Sequence, residues 1–228
     1  MIFRLVSVIF AVLFTTSNAR AQFEGTLDLI PPGCETIGQC VLKTPFRFTD
    51  SEKVVWEARA ELPTDGASIP GIFQPFIGKP FDPAFIKAAV IHDHYCDRQV
   101  RPWRQTHKVF YDGLIDQGVP VAKAKTMYFA VILGGPKWIK LIPSKNCGPN
   151  CVNNFKSTSG VSGVYARKAD YSAPDLVAAV QAVAQALEAS PTALSLAELE
   201  ARARKLRPSD FFYKRGDSAE ASDIGIFE

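Results

Sequence analysis

Histidine is scarce in this chain, with three copies in 228 residues. Two of them, His92 and His94, share one stretch, "AAVIHDHYCDRQ", and the third is His107. Any imidazole chemistry is therefore confined to one short part of the sequence. Other shortages narrow the function classes. No charge sign dominates: of 26 Lys and Arg, Arg4 and Arg20 fall in a segment expected to be removed, which leaves 24 against 23 Asp and Glu. A balance near +1 gives no electrostatic footprint for nucleic acid or an anionic membrane, so no nucleic-acid partner is expected. The five cysteines lack the paired C-x-x-C knuckles of a structural zinc module. No internal repeat is visible.

What is present begins with an apolar content of 47%, enough for a core of ordinary size. The first residues read as a secretory signal over 1–21: Arg4, an apolar run over 5–14, then Ala19-Arg20-Ala21 as the small-x-small cleavage pattern. The run is shorter than the about 20 residues a spanning helix needs. The expectation is a secreted or periplasmic protein with Gln22 first and no transmembrane anchor. An oxidising compartment suits the cysteines. Cys34 with Cys40 and Cys147 with Cys151 would clip small loops, leaving Cys96 over; pairing across the fold is the alternative, because connectivity is not readable from spacing.

Along the chain, residues 22–61 alternate apolar and polar residues as two or three antiparallel strands would. Residues 62–83 are rich in Gly and Pro yet full of Phe and Ile, which suits a packed loop that shapes a site. Asp82 followed by Pro83 starts a helix expected to reach Asp97. Its inner face carries Phe85, Ala88, Ala89, His92 and Cys96, with the small residues inviting a close neighbour. Helices over 103–116 and 120–133 follow, the first presenting His107 and Phe110 inward. A linker is expected over 152–172, a separate helical hairpin over 173–206 with a Ser195–Glu198 capping box, and a frayed tail over 207–228. The fold class is α+β: a small antiparallel sheet on a three-helix core within 22–151, with the C-terminal hairpin attached.

A histidine on an apolar helix face is ordinarily a satisfied core residue. His92 has more around it: Asp93 follows at once, His107 faces it from the next helix, and an Asp65-Gly66-Ala67-Ser68 turn lies upstream. Two antiparallel helices would bring His92 toward His107, the geometry in which a base meets its orienting partner. His94 lies about 200° from His92 around the helix and is expected to be exposed. Cys96, one turn beyond His92, is a candidate thiolate nucleophile or simply a small apolar residue.

The stretches "TDGASIP", "FIKAAVIHDHYC" and "WRQTHKVFYDGLIDQGVPVAKAKTMYFAV" resemble the family called domain of unknown function 1353 over about 42–135. That family is known from bacteria and phages, and the resemblance implies no particular activity. It implies an Asp where this chain has His107. The His92-Asp93 pair is also similar to the His-Asp helix of secreted phospholipases A, in which the His deprotonates water and the Asp holds calcium. Tyr95 stands one position early for that pattern, His107 replaces the expected Asp, and no Gly-rich calcium loop precedes the helix. The similarity implies a hydrolase-like site: His92 as general base, Asp65 and Asp93 as oxygen ligands to a hard cation such as calcium. Ser68 is a candidate nucleophile or a turn residue bonding its own backbone. Lipid, peptidoglycan or an envelope protein are the partners this reading allows. The competing reading is a non-catalytic envelope or phage-derived docking module, in which His92 and Asp93 merely satisfy buried groups.

Overall fold

The computed structural model describes residues 21–67, 69, 73–142 and 163–220. Residues 1–20 of the expected signal segment, Ser68, Cys147 and Cys151 lie outside the described residues. The class is α+β, as the patterning indicates, but the strands form three small sheets where one was expected. Strands β1 (Gln22–Glu24), β4 (Phe46–Thr49) and β5 (Val55–Ala58) make an antiparallel sheet in the order β1-β4-β5. Strands β2 (Leu29–Ile30), β3 (Cys40–Leu42) and β6 (Pro63–Thr64) make a second, in the order β2-β3-β6. Cys34 and Cys40 are disulfide-bonded beside it, and Cys96 is free.

Alternation decides which face of the first sheet is buried. Phe46, Phe48, Trp56 and Ala58 point inward and pack on Val90, Ile91 and Tyr95 of helix α2 (Ile86–Arg98), which follows the one-turn helix α1 (Gln74–Ile77). Helix α2 begins three residues later than expected. Asp82 first closes a turn, its carboxylate accepting from the Ala84 N–H and its carbonyl from the N–H groups of Phe85 and Ile86. Helix α3 (Trp103–Asp116) packs closely on α2: a methyl added at Gly113 would sit 2.9 Å from the Ala88 Cβ. The small residues therefore do permit the near approach.

Helix α4 (Val121–Gly134) is buried on nearly every side, with Ala124, Met127, Phe129, Ile132 and Leu133 all enclosed. A helix apolar all round must be covered all round. The C-terminal hairpin provides the cover, which corrects its reading as a separate unit. Helix α5 (Pro174–Ala189) lays Leu176, Val180, Val183 and Leu187 into the same core as α4. Helix α6 (Leu196–Leu206) adds Leu199 and Ala203, after the expected Ser195–Glu198 capping box. Truncating one of these leucines to alanine should cost about 2–5 kcal/mol. Lys125 ties the hairpin turn to α4 through the carbonyls of Pro191 and Leu194.

Two further expectations are corrected at the C-terminal side. The segment read as a linker contains β8 (Val164–Arg167), which pairs antiparallel with β7 (Lys137–Ile142). The segment read as a frayed tail contains helix α7 (Phe211–Lys214) and β9 (Ser218–Glu220), which runs parallel to β7. Phe212 and Tyr213 are buried there, and burial of two aromatic side chains outweighs the charged composition that suggested fraying.

Candidate functional site

The site lies where α2, α3, the end of α4 and the β6 turn converge. His92 and Asp93 come from the middle of α2, with Cys96 and Asp97 one turn on. Asp65 comes from the turn after β6. That turn is stitched to residue 80: Gly66 adopts φ +81°, a Cβ there would strike the Pro80 carbonyl oxygen at 2.5 Å, and Ala67 donates to that same oxygen. His92, Asp93, Asp65, Cys96 and Asp97 all line a cleft of about 1110 Å³. Its deep wall is apolar, with buried Phe73, Ile77, Phe110 and Met127, while exposed Arg167 and Lys168 stand at the mouth.

His107 does not line the cleft. It is fully buried directly behind His92, whose Nε2 lies 2.9 Å from the His107 Nδ1. The other His107 nitrogen, Nε2, is 3.0 Å from the Pro136 carbonyl oxygen. A carbonyl only accepts, so His107 Nε2 carries the hydrogen. Burial, helped by the nearby His92 and Lys137, drives the His107 pKa well below the ordinary value, so its ring is neutral and Nδ1 is an acceptor. His92 must then donate from Nε2. One backbone carbonyl thus fixes both tautomers, and the remaining His92 lone pair is on Nδ1. That atom faces Asp93 Oδ1 at 3.4 Å and Cys96 Sγ at 3.9 Å.

The carboxyl of Asp93 is pushed up by burial, with the charges of Asp65 and Asp97 adding to the shift and His92 opposing it. Asp93 Oδ2 is buried without a partner among the described residues. Asp97 is raised by burial and by Asp65. The Cys96 thiol is pushed well above its usual value by burial and by Asp93 and Asp97. A neutral thiol is a weak nucleophile. Cys96 Sγ is also 3.4 Å from His92 Nε2.

The structure therefore brings His92, Asp93, Cys96 and Asp65 to one cleft and sets His107 behind them. Asp65 and Asp93 share the wall, but among the described residues neither belongs to a set of three or more donors gathered within 4.8 Å; the sets so gathered are His92–Cys96–His107 and Cys34–Glu35–Cys40. His94 is corrected: it is 1% exposed, its ring nitrogens have no partner among the described residues, and burial lowers its pKa to about 4. Sequence reasoning missed the Pro136 carbonyl, which no side-chain type announces. It also missed Gly135, where a Cβ would strike the Val131 oxygen and meet His107 Nε2 at 3.1 Å. Lys137 was missed too; fully buried and pushed down to about 7 mainly by burial, it donates to the Leu133 and Gly135 carbonyls that end α4.

The family model described as "Protein of unknown function (DUF1353)" matches residues 40–131. The uncharacterized protein y4iH of Sinorhizobium fredii (strain NBRC 101917 / NGR234) is 40% identical over 202 residues, covering 87% of this chain and 84% of the relative. The chain belongs to the DUF1353 family. The family match runs from β3 into α4 and so contains Asp65, His92, Asp93, Cys96 and His107, while the hairpin and the third sheet lie beyond it. A second relative from the same strain, uncharacterized protein y4jT, is 36% identical over 154 residues; this chain spans 46% of its length. No solved structure matches the chain.

Proposed function

We propose that this DUF1353 protein is an exported hydrolase whose cleft activates water at His92. The observation that carries the reading is the hydrogen-bond chain from the Pro136 carbonyl through His107 to His92, a residue on the wall of an open cleft whose remaining lone pair is then on Nδ1, beside Asp93. A general base needs a neutral ring, a fixed orientation and access to the proton it takes. His92 Nδ1 takes a proton from water as the water oxygen bonds to the substrate's acyl or phosphoryl centre; the bond from that centre to the leaving group then breaks, and the leaving group takes the proton back from His92. The imidazolium is held by Asp93 at one nitrogen and by His107 at the other. His107 is a positioning residue. Cys96, as a thiol, packs beside the base. The apolar depth of the cleft beside its polar wall favours an amphiphilic substrate. The disulfide between Cys34 and Cys40 supports export, and among the described residues no helix is long and apolar enough to cross a membrane.

The test pairs activity with stability. The parent and His92→Ala are screened on phospholipid, peptidoglycan and peptide, with and without calcium. Loss of general-base assistance should slow the active reaction by about 10²–10⁴-fold. The melting temperature should fall by only a few degrees, as for a loss of about 1–3 kcal/mol. A parent inert on all three substrates, or a mutant as active as the parent, refutes the proposal.

A further inference from the structure

His92, His107 and Cys96 have a second capacity that the base reading does not use. We infer that they form a binding site for a borderline d-block cation such as Zn²⁺, through His92 Nε2, His107 Nδ1 and Cys96 Sγ, with a fourth position open to the cleft. The inference shares residues with the hydrolase reading but does not depend on it, since a cation can be held whether or not a substrate is turned over.

The distances carry the first part of the case. The three donor atoms all lie within 4.8 Å of one another, with 2.9 Å between the nitrogens and 3.4 Å between His92 Nε2 and the sulfur. A tetrahedral cation with bonds of about 2.0–2.1 Å to nitrogen and about 2.3 Å to sulfur holds such donors about 3.3–3.6 Å apart. The nitrogen pair and the His92–sulfur pair are each within a few tenths of an ångström of those spacings. A nitrogen–sulfur set of this kind suits zinc and disfavours calcium, which takes oxygen ligands.

The groups behind the donors carry the second part. A ligating histidine needs its other ring nitrogen to donate to a carboxylate or backbone carbonyl. His107 already does so, from Nε2 to the Pro136 carbonyl. His92 has Asp93 Oδ1 at 3.4 Å from Nδ1. Without a cation, His92 donates from Nε2, so Nδ1 and the Asp93 carboxylate confront each other as two acceptors unless a further proton lies between them. With a cation on Nε2, the hydrogen moves to Nδ1 and points at Asp93, and every group in the chain is matched. The Cys96 proton leaves on binding. His92 and Cys96 line the cleft, which is the route by which the cation and its fourth ligand would enter. A cation there supplies Lewis-acid activation of bound water at neutral pH.

The experiment uses chelator-treated full chain, kept unreduced so that Cys34 and Cys40 stay bonded. Zn²⁺ is titrated against a chromophoric chelator, and Co²⁺ serves as the spectroscopic probe. The expected result is one equivalent bound at about 1 µM or tighter, with a thiolate-to-cobalt charge-transfer band. Cys96→Ser should abolish that band, and Asp93→Asn should weaken Zn²⁺ by about 10–100-fold. The parent spectrum alone is decisive if a variant fails to fold: no binding, or Co²⁺ binding without the thiolate band, overturns the inference. So does binding of unchanged affinity in both Cys96→Ser and His107→Gln. Turnover by a protein that binds no Zn²⁺ refutes this site and leaves the hydrolase reading standing; tight binding by a protein inert on every substrate does the reverse.

Discussion

Helix α2 carries two histidines two residues apart, and they occupy opposite situations. His92 looks into the cleft, has a partner behind it on α3 and a carboxylate beside it. His94 is 1% exposed, with the Tyr95 ring beside it, Glu57 and Arg59 nearby, and neither ring nitrogen partnered among the described residues. Both are buried, so burial does not separate a candidate site from packing. Connection does: His92 ends a chain of donors and acceptors anchored on a backbone carbonyl and opening on solvent space, whereas His94 is enclosed and idle. The price of enclosing an unpartnered imidazole is a pKa of about 4, which keeps it neutral.

The largest effect that sharpens this contrast comes from His107→Leu. It leaves the His92 Nε2–H and the Pro136 carbonyl unpaired, about 1–3 kcal/mol for each orphaned group. It also frees the His92 tautomer, so both the melting temperature and any hydrolytic rate should fall; an unchanged rate would break the proposed role of His107. Next is acid. The folded pKa of His94 lies below the ordinary 6.5, so the folded state binds fewer protons than the unfolded one between these values. Its contribution is therefore present above pH 6.5 and lost as pH falls toward about 4, on the order of 3 kcal/mol. Buried His107, shifted in the same direction, adds to this loss. Urea unfolding at pH 7, 5.5 and 4 measures it.

A smaller effect is expected from His94→Leu, which removes two unpartnered polar atoms at little change in volume. It should stabilise by about 1 kcal/mol, flatten the acid dependence and leave turnover unchanged. Destabilisation by more than that would show that His94 is partnered after all. The smallest effect is kinetic: with its thiol pushed up by burial, Cys96 should alkylate more slowly at pH 7.5 than a free cysteine. Rapid labelling would restore it as a nucleophile.

Much of this arrangement is legible in the chain. The i, i+3, i+4, i+7 spacing of Ala88, Ala89, His92 and Cys96 shows which way His92 points, and the Ser195–Glu198 box marks a helix start directly. His94 was misread because helical angle places a residue relative to its own helix and is silent about what covers the other side. Here Trp56, Phe46 and Phe48 build a second core against α2. The tail was misread because charge content outweighed Phe212 and Tyr213, whose burial depends on β7 far upstream. The anchor of the site, the Pro136 carbonyl, is backbone, and it is Gly135 that leaves room for the His107 Nε2 bonded to it.

With three histidines in the chain, the central claim can be tested on the imidazoles themselves. A long-range ¹H–¹⁵N spectrum of chelator-treated protein at pH 7, with His92→Ala and His94→Leu for assignment, reads the tautomer of each ring. The account predicts neutral His107 with its hydrogen on Nε2, and His92 with its hydrogen on Nε2 and Nδ1 bare. A hydrogen on His107 Nδ1, or a neutral His92 protonated on Nδ1 alone, would contradict it.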